Sequence, residues 1–140
     1  MSDPNSLPTA LIDAAREAMG KAYAPYSRFS VGAAILGDSG RVYAGANVEN
    51  AAYPQGQCAE ASAIAAMIVG GDRRVREIVV MGGTPGDGVL CTPCGGCRQR
   101  LREFAAPETH IHVCGPEGLR RTFTLGELLP HSFGPDNLDF

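Results

Sequence analysis

Three cysteines in two short runs constrain this chain more than any other feature of it. Cys58-Ala59-Glu60 opens one apolar stretch, and Pro93-Cys94-Gly95-Gly96-Cys97 opens another. Cys94 and Cys97 stand three apart, on one face of a helix and close enough to chelate one ion. A third thiolate from Cys58 leaves a tetrahedral zinc with one open position, the arrangement of catalytic rather than structural metals. A fold that uses all three must bring two helix N-termini together, where partial positive charge and free N–H groups favour the thiolate forms.

Glu60 lies two residues past a ligand, so its carboxylate can reach a water on the metal without competing for the ion. Alone, a glutamate in a first helical turn is simply a residue the helix dipole favours. Two other uses of the cysteines stay open on spacing. Cys91, Cys94 and Cys97 have the C-x2-C-x2-C spacing of iron–sulfur runs, although the fourth cysteine followed by proline is missing. A closed structural zinc could take Cys91 or Cys114 as fourth ligand, but it would leave Glu60 unexplained. Five cysteines, three of them clustered, suit a reducing compartment better than a disulfide framework.

The 140 residues fit one compact domain over 1–140, and 44% hydrophobic with 19% charged residues is enough to bury a core. A net charge of −3 and one short basic cluster, Arg73-Arg74-Val75-Arg76, offer little to a nucleic-acid backbone, so a small substrate is expected. No apolar run approaches the roughly 20 residues that span a bilayer, and the first ten residues lack a leader pattern, so a cytoplasmic protein with no membrane partner is expected.

Apolar spacing predicts helices over 7–23, 58–69 and 94–104, with a further helical turn over 125–129. Strands are expected over 30–36, 41–48, 77–82, 110–114 and 119–123, the first two joined by the hairpin turn Gly37-Asp38-Ser39-Gly40. The continuous run Ile78-Val79-Val80-Met81 reads as the central strand, buried on both faces. Strands interleaved with helices predict an α/β fold, a three-layer domain around a mixed sheet.

Cys58-Ala59-Glu60 with Pro93-Cys94-x-x-Cys97 resembles the cytidine deaminase superfamily, a zinc deaminase signature. The resemblance extends through Pro25-Tyr26-Ser27-Arg28-Phe29-Ser30-Val31-Gly32-Ala33-Ala34, Gly45-Ala46-Asn47-Val48-Glu49-Asn50-Ala51 and Leu129-Pro130-His131-Ser132-Phe133. These stretches look like the small homotetrameric branch that acts on free nucleosides. The resemblance implies an α/β/α cytidine-deaminase-like fold with five strands and one Zn2+ per subunit on Cys58, Cys94 and Cys97. It also implies hydrolytic deamination of cytidine and deoxycytidine to uridine, deoxyuridine and ammonia in pyrimidine salvage. Zinc-bound hydroxide would attack C4, with Glu60 moving protons from the water to N3 and the leaving amine.

By the same resemblance Asn47 and Glu49 match the pair that binds the ribose hydroxyls, Ala59 belongs to the substrate-binding set, and Phe29 matches the aromatic residue beside the pyrimidine. Phe133 matches a phenylalanine that enters a neighbouring subunit's pocket, which places active sites at the interfaces of a homotetramer. Without the resemblance, Phe29 and Phe133 would be packing residues and Asn47, Glu49 and Asn50 an ordinary turn. Deaminases of other aminated heterocycles, the blasticidin type among them, share much of the pattern. Three-cysteine members often carry arginine directly after the glutamate, whereas this chain has Ala61. Arg98, directly after the last ligand, and the two helix dipoles are expected to offset the charge of three thiolates. Cys91 and Cys114 are expected to be buried strand-end thiols, and His110, His112 and His131 receive no role.

Overall fold

The computed structural model describes residues 6–138. Helix α1 spans Ser6–Met19, and its core-facing Leu11 and Ala15 are buried at four-residue spacing. It stops short of the expected 7–23 because the main chain turns at Gly20, and Tyr23 pairs elsewhere. Tyr23 N–H donates to the carbonyl of Asn47 at 3.0 Å, and Glu49 N–H donates to the carbonyl of Tyr23 at 2.8 Å. That pairing fixes the segment that carries Asn47 and Glu49.

Strands β1 (Val31–Gly37) and β2 (Val42–Ala46) form an antiparallel hairpin whose turn uses Gly40 at φ 91°, a conformation glycine adopts without cost. β2 ends before the expected residue 48 because Val48 leaves the hairpin to exchange backbone hydrogen bonds with Gln57 at 2.9 and 2.8 Å. Helix α2 (Ala59–Val69) follows, then β3 (Val75–Gly82), α3 (Gly95–Phe104), β4 (His110–Gly115) and β5 (Gly118–Thr124). A last short helix, α4 (Leu125–Leu128), is capped by Thr124, whose hydroxyl accepts from Glu127 N–H at 3.2 Å.

The sheet order is β2-β1-β3-β4-β5. β3 and β4 run parallel, joined by the α3 crossover, and the other neighbours run antiparallel, so the sheet is mixed and β3 is its central strand. One face buries Ala34, Leu36, Val79, Met81 and Cys114 against Leu11 and Ala15 of α1. The other buries Ala33, Ile35, Ile78, Val80, Ile111 and Val113 against Ala63, Ile64 and Met67 of α2, Leu101 of α3 and Leu125 of α4. The three-layer expectation therefore holds, with continuous burial along the C-terminal half of β3.

Two glycines set how closely the helices approach. A Cβ at Gly32 would collide with the Ala15 carbonyl of α1, and a Cβ at Gly45 would collide with the Ala63 backbone of α2. On the α1 face, His112 is buried with Nδ1 2.8 Å from Thr122 Oγ1 and Nε2 2.7 Å from Glu77 Oε1, so both ring nitrogens are partnered. Among the described residues no helix is long and apolar enough to cross a membrane.

Candidate active site and metal centre

The N-terminal ends of α2 and α3 meet on the sheet face opposite α1, and each is capped by a cysteine. Cys58 and Cys94 are the N-cap residues of their helices rather than first-turn residues, as the spacing had suggested. A serine or aspartate at such a position would spend its side chain on the helix's free N–H groups. Neither Cys58 nor Cys94 makes a side-chain capping bond, which leaves both sulfurs to the space between the helices.

The Sγ atoms of Cys58, Cys94 and Cys97 all lie within 4.8 Å of one another, and those of Cys58 and Cys94 are 4.0 Å apart. Sulfurs about 2.3 Å from a tetrahedral zinc sit about 3.8 Å from each other, so the donor set fits that ion. All five cysteines are free. Cys91 does not join the group, so neither the 91-94-97 cluster nor a fourth thiolate from Cys91 assembles. Burial pushes the thiols of Cys91 and Cys114 up to about 11; Cys114 is a buried thiol near the end of β4 as expected, whereas Cys91 is only half-buried and lies in the loop after β3, not at a strand end. Burial also opposes ionisation at Cys94, but the backbone N–H of Cys97 and hydrogen bonds with Cys97 and Cys58 bring its thiol below the ordinary value.

Glu60 sits one residue into α2, only 5% exposed. Burial pushes its carboxyl above the ordinary range, while its own backbone N–H and the positive charge of Arg100 pull the other way. It shares a cavity of about 200 Å³ with Phe29, Asn47, Cys58, Ala59 and Cys94, among others. Val31, Cys91 and Thr92 complete the wall and were not singled out from the sequence as lining residues.

Asn47 is already engaged on both sides of its amide. Its Oδ1 accepts from Val31 N–H at 2.9 Å, and its Nδ2 donates to the carbonyl of Phe29 at 2.8 Å. Phe29 is held by this bond beside Arg28, whose φ of 59° is unusual for a side chain of that size. Glu49 lines a second hollow of about 290 Å³ with Tyr26, Ser27, Asn50, Tyr53 and Gly56. Its carboxylate accepts from the hydroxyl and N–H of Ser27 and from Tyr26 N–H, and the Ser27 bonds hold it below its usual pKa.

Two expected residues lie elsewhere. Phe133 is 58% exposed and lines neither hollow, and its carbonyl accepts from Gln99 Nε2 of α3 at 2.8 Å. Arg98 turns away from the cysteines: Nε donates to the Pro93 carbonyl at 2.7 Å, Nη1 to the Leu128 carbonyl at 2.8 Å and Nη2 to Thr92 Oγ1 at 3.3 Å. Adjacent helical residues point about 100° apart, so the neighbour of a ligand faces another way. The guanidinium that reaches one of the three grouped sulfurs is that of Arg100, one turn on from Cys97, with Nη1 3.7 Å from Cys97 Sγ.

Comparison with known proteins agrees with this geometry. The family model described as the cytidine and deoxycytidylate deaminase zinc-binding region matches residues 6–113. The cytidine deaminase of Mycobacterium tuberculosis is 44% identical over 125 residues, covering 89% of this chain and 87% of that protein. The cytidine deaminase of Sporosarcina psychrophila is 35% identical over 130 residues, covering 93% of each. Among solved structures, the cytidine deaminase of Burkholderia pseudomallei superposes with a TM-score of 0.81 at 42% identity, over 89% of this chain and 98% of that one.

Proposed function

This chain belongs to the cytidine deaminase family, and from that premise we propose that it hydrolyses the amino group from C4 of cytidine, releasing uridine and ammonia. The observation that carries the reading is the shared cavity: a buried carboxylate, Glu60, beside an aromatic ring, Phe29, and Cys58 and Cys94, two of the three convergent cysteines.

Cys58, Cys94 and Cys97 would hold a zinc ion, which when bound would supply the Lewis acidity that makes a water nucleophilic near neutral pH. Glu60 accepts a proton from that water as its oxygen bonds to C4, and delivers it to N3 of the ring. The same carboxylate then takes the proton of the new C4 hydroxyl and passes it to the 4-amino group, so that the C4–N bond breaks with neutral ammonia leaving and a C4 carbonyl remaining. Its buried setting suits the proton-accepting step, because a carboxylate raised in pKa is a stronger base than one in water.

Phe29 packs along one side of the pyrimidine, and Ala59 leaves space at the ring's edge. Asn47 has one of its two amide hydrogens on the Phe29 carbonyl, which leaves the second for a sugar hydroxyl. Glu49, held ionised by Ser27 and Tyr26, has acceptor capacity beyond the bonds it makes and takes the other hydroxyl. Neither contact requires a 2′-hydroxyl for binding, so deoxycytidine is expected to be processed as well.

Phe133 stands exposed on the α3 side, and it completes a neighbour's pocket in a homotetramer. The 1–140 chain acts as one catalytic domain, in the cytoplasm, with one zinc per subunit and a role in pyrimidine salvage. Loss of cytidine's ultraviolet absorbance on adding the purified protein tests the activity. A folded, zinc-loaded protein that leaves both cytidine and deoxycytidine unchanged would sink the reading and point to another aminated heterocycle.

A further inference from the structure

Three thiolates on a divalent cation leave a net charge of −1, and an ionised Glu60 beside them adds another. The N-termini of α2 and α3 each contribute about half a positive charge, which leaves the centre about one unit negative. A full positive charge is needed close by, and the side chains adjacent to the ligands do not provide it. Ala61 carries no donor, and the Arg98 guanidinium is committed to Pro93, Leu128 and Thr92.

We propose that Arg100 is the positioning residue that balances this charge, by donating an N–H from Nη1 to Cys97 Sγ across one helical turn, in a space left open by Gly96. The N···S separation is 3.7 Å. A Cβ built at Gly96 would lie 3.1 Å from that same Nη1, so a side chain there would crowd the guanidinium as it folds back toward the sulfur. Cys97 is fully buried, so the thiolate that receives this bond has no water to solvate it.

The consequence is electronic as well as steric. A hydrogen bond to a ligand sulfur withdraws charge that would otherwise pass to the metal, keeping the ion more Lewis acidic and its hold on the site tighter. The inference rests on the zinc-site reading above.

The test uses the intact protein loaded with Co2+, whose sulfur-to-metal charge-transfer bands report on thiolate donation, and the zinc form challenged with the chromogenic chelator 4-(2-pyridylazo)resorcinol. Arg100→Met is expected to shift those bands to longer wavelength and to surrender zinc about 10-fold faster. Arg100→Lys is expected to recover part of both effects. Gly96→Leu, which displaces the guanidinium without removing it, is expected to move both readouts the same way as Arg100→Met. Arg98→Met is expected to leave the bands in place. Wild-type bands and zinc-transfer rate in a folded Arg100→Met protein would overturn the proposal. A wild type that takes up neither metal would overturn the zinc-site reading and this inference with it.

Discussion

Asn47 holds Phe29 by its main chain, with Nδ2 donating to the Phe29 carbonyl at 2.8 Å while Oδ1 takes the Val31 N–H at 2.9 Å. A side chain proposed to contact the sugar is thus also part of the scaffold. Asn47→Asp keeps the acceptor but sets a carboxylate oxygen against the Phe29 carbonyl. It is expected to lower stability by about 1 kcal/mol in urea titrations. KM for cytidine should rise about 10-fold with a smaller change in kcat, because what is disturbed is the placing of the ring rather than the proton transfer.

Glu60→Gln preserves the shape of the side chain and removes its proton chemistry. Turnover is expected to fall by about 100- to 10,000-fold. Metal analysis should find the same zinc-to-protein ratio as in the wild type, since Glu60 is not one of the three grouped donors. A parallel loss of zinc would mean that the carboxylate serves as a ligand.

Gly32 and Gly45 are matched tests of the two faces of the sheet. Gly32→Ala would press on α1 and Gly45→Ala on α2, each costing about 1–3 kcal/mol through overpacking. Both should lower the melting temperature. Only Gly45→Ala is expected to hasten zinc release to a chelator, because α2 alone of these two helices carries one of the three grouped cysteines, Cys58, at its N-terminus.

Arg120 ties the loop after β3 to β5, donating to Asp87, Glu117 and the carbonyls of Thr84 and Val89. The backbone N–H groups of Thr84 and Val89, with Arg120, hold Asp87 at about 2, below the 3.8 of a free carboxyl. A depressed folded value stabilises the protein above the free value and ceases to do so as pH falls through about 2. The difference in unfolding free energy between wild type and Asp87→Asn should therefore be largest above about pH 4 and shrink toward pH 2, as measured by urea titrations across that range. A difference independent of pH would show that the Asp87 charge does not contribute.

Phe133→Ala tests the assembly. Light scattering is expected to give four chains per particle for the wild type, and the variant should show a higher KM for cytidine. An active monomer with unchanged KM would remove Phe133 from the site.

Much of the fold was legible because burial and period agree. The apolar run 78–81 could be placed at the sheet centre since only a strand covered on both faces reads that way, and β3 is that strand. Element ends were less legible. The helix expected to reach residue 23 stops at Met19 because Tyr23 finds its partners at Asn47 and Glu49, a pairing distant in sequence.

The cysteine trio was legible from spacing, but its electrostatic surroundings were not. Adjacency in sequence pointed to Arg98, whereas a helix brings the residue three positions on back to the same face, and Arg100 occupies that place beside Cys97. The i,i+3 rule that paired Cys94 with Cys97 could have found it. Nothing local to residues 83–91 marked Arg120 as the loop's tether, since its partners are far away in sequence.

The two cysteine caps also bear on how the chain holds together. Cys58 and Cys94 are 36 residues apart, and their helices pack into one core cluster on the same face of the sheet. One ion gripping both would act as a staple that closes this long loop, and a cross-link of that span removes about 4 kcal/mol of chain entropy from the unfolded state. Metal loss would then loosen the join between the two halves of the molecule as well as silence its chemistry.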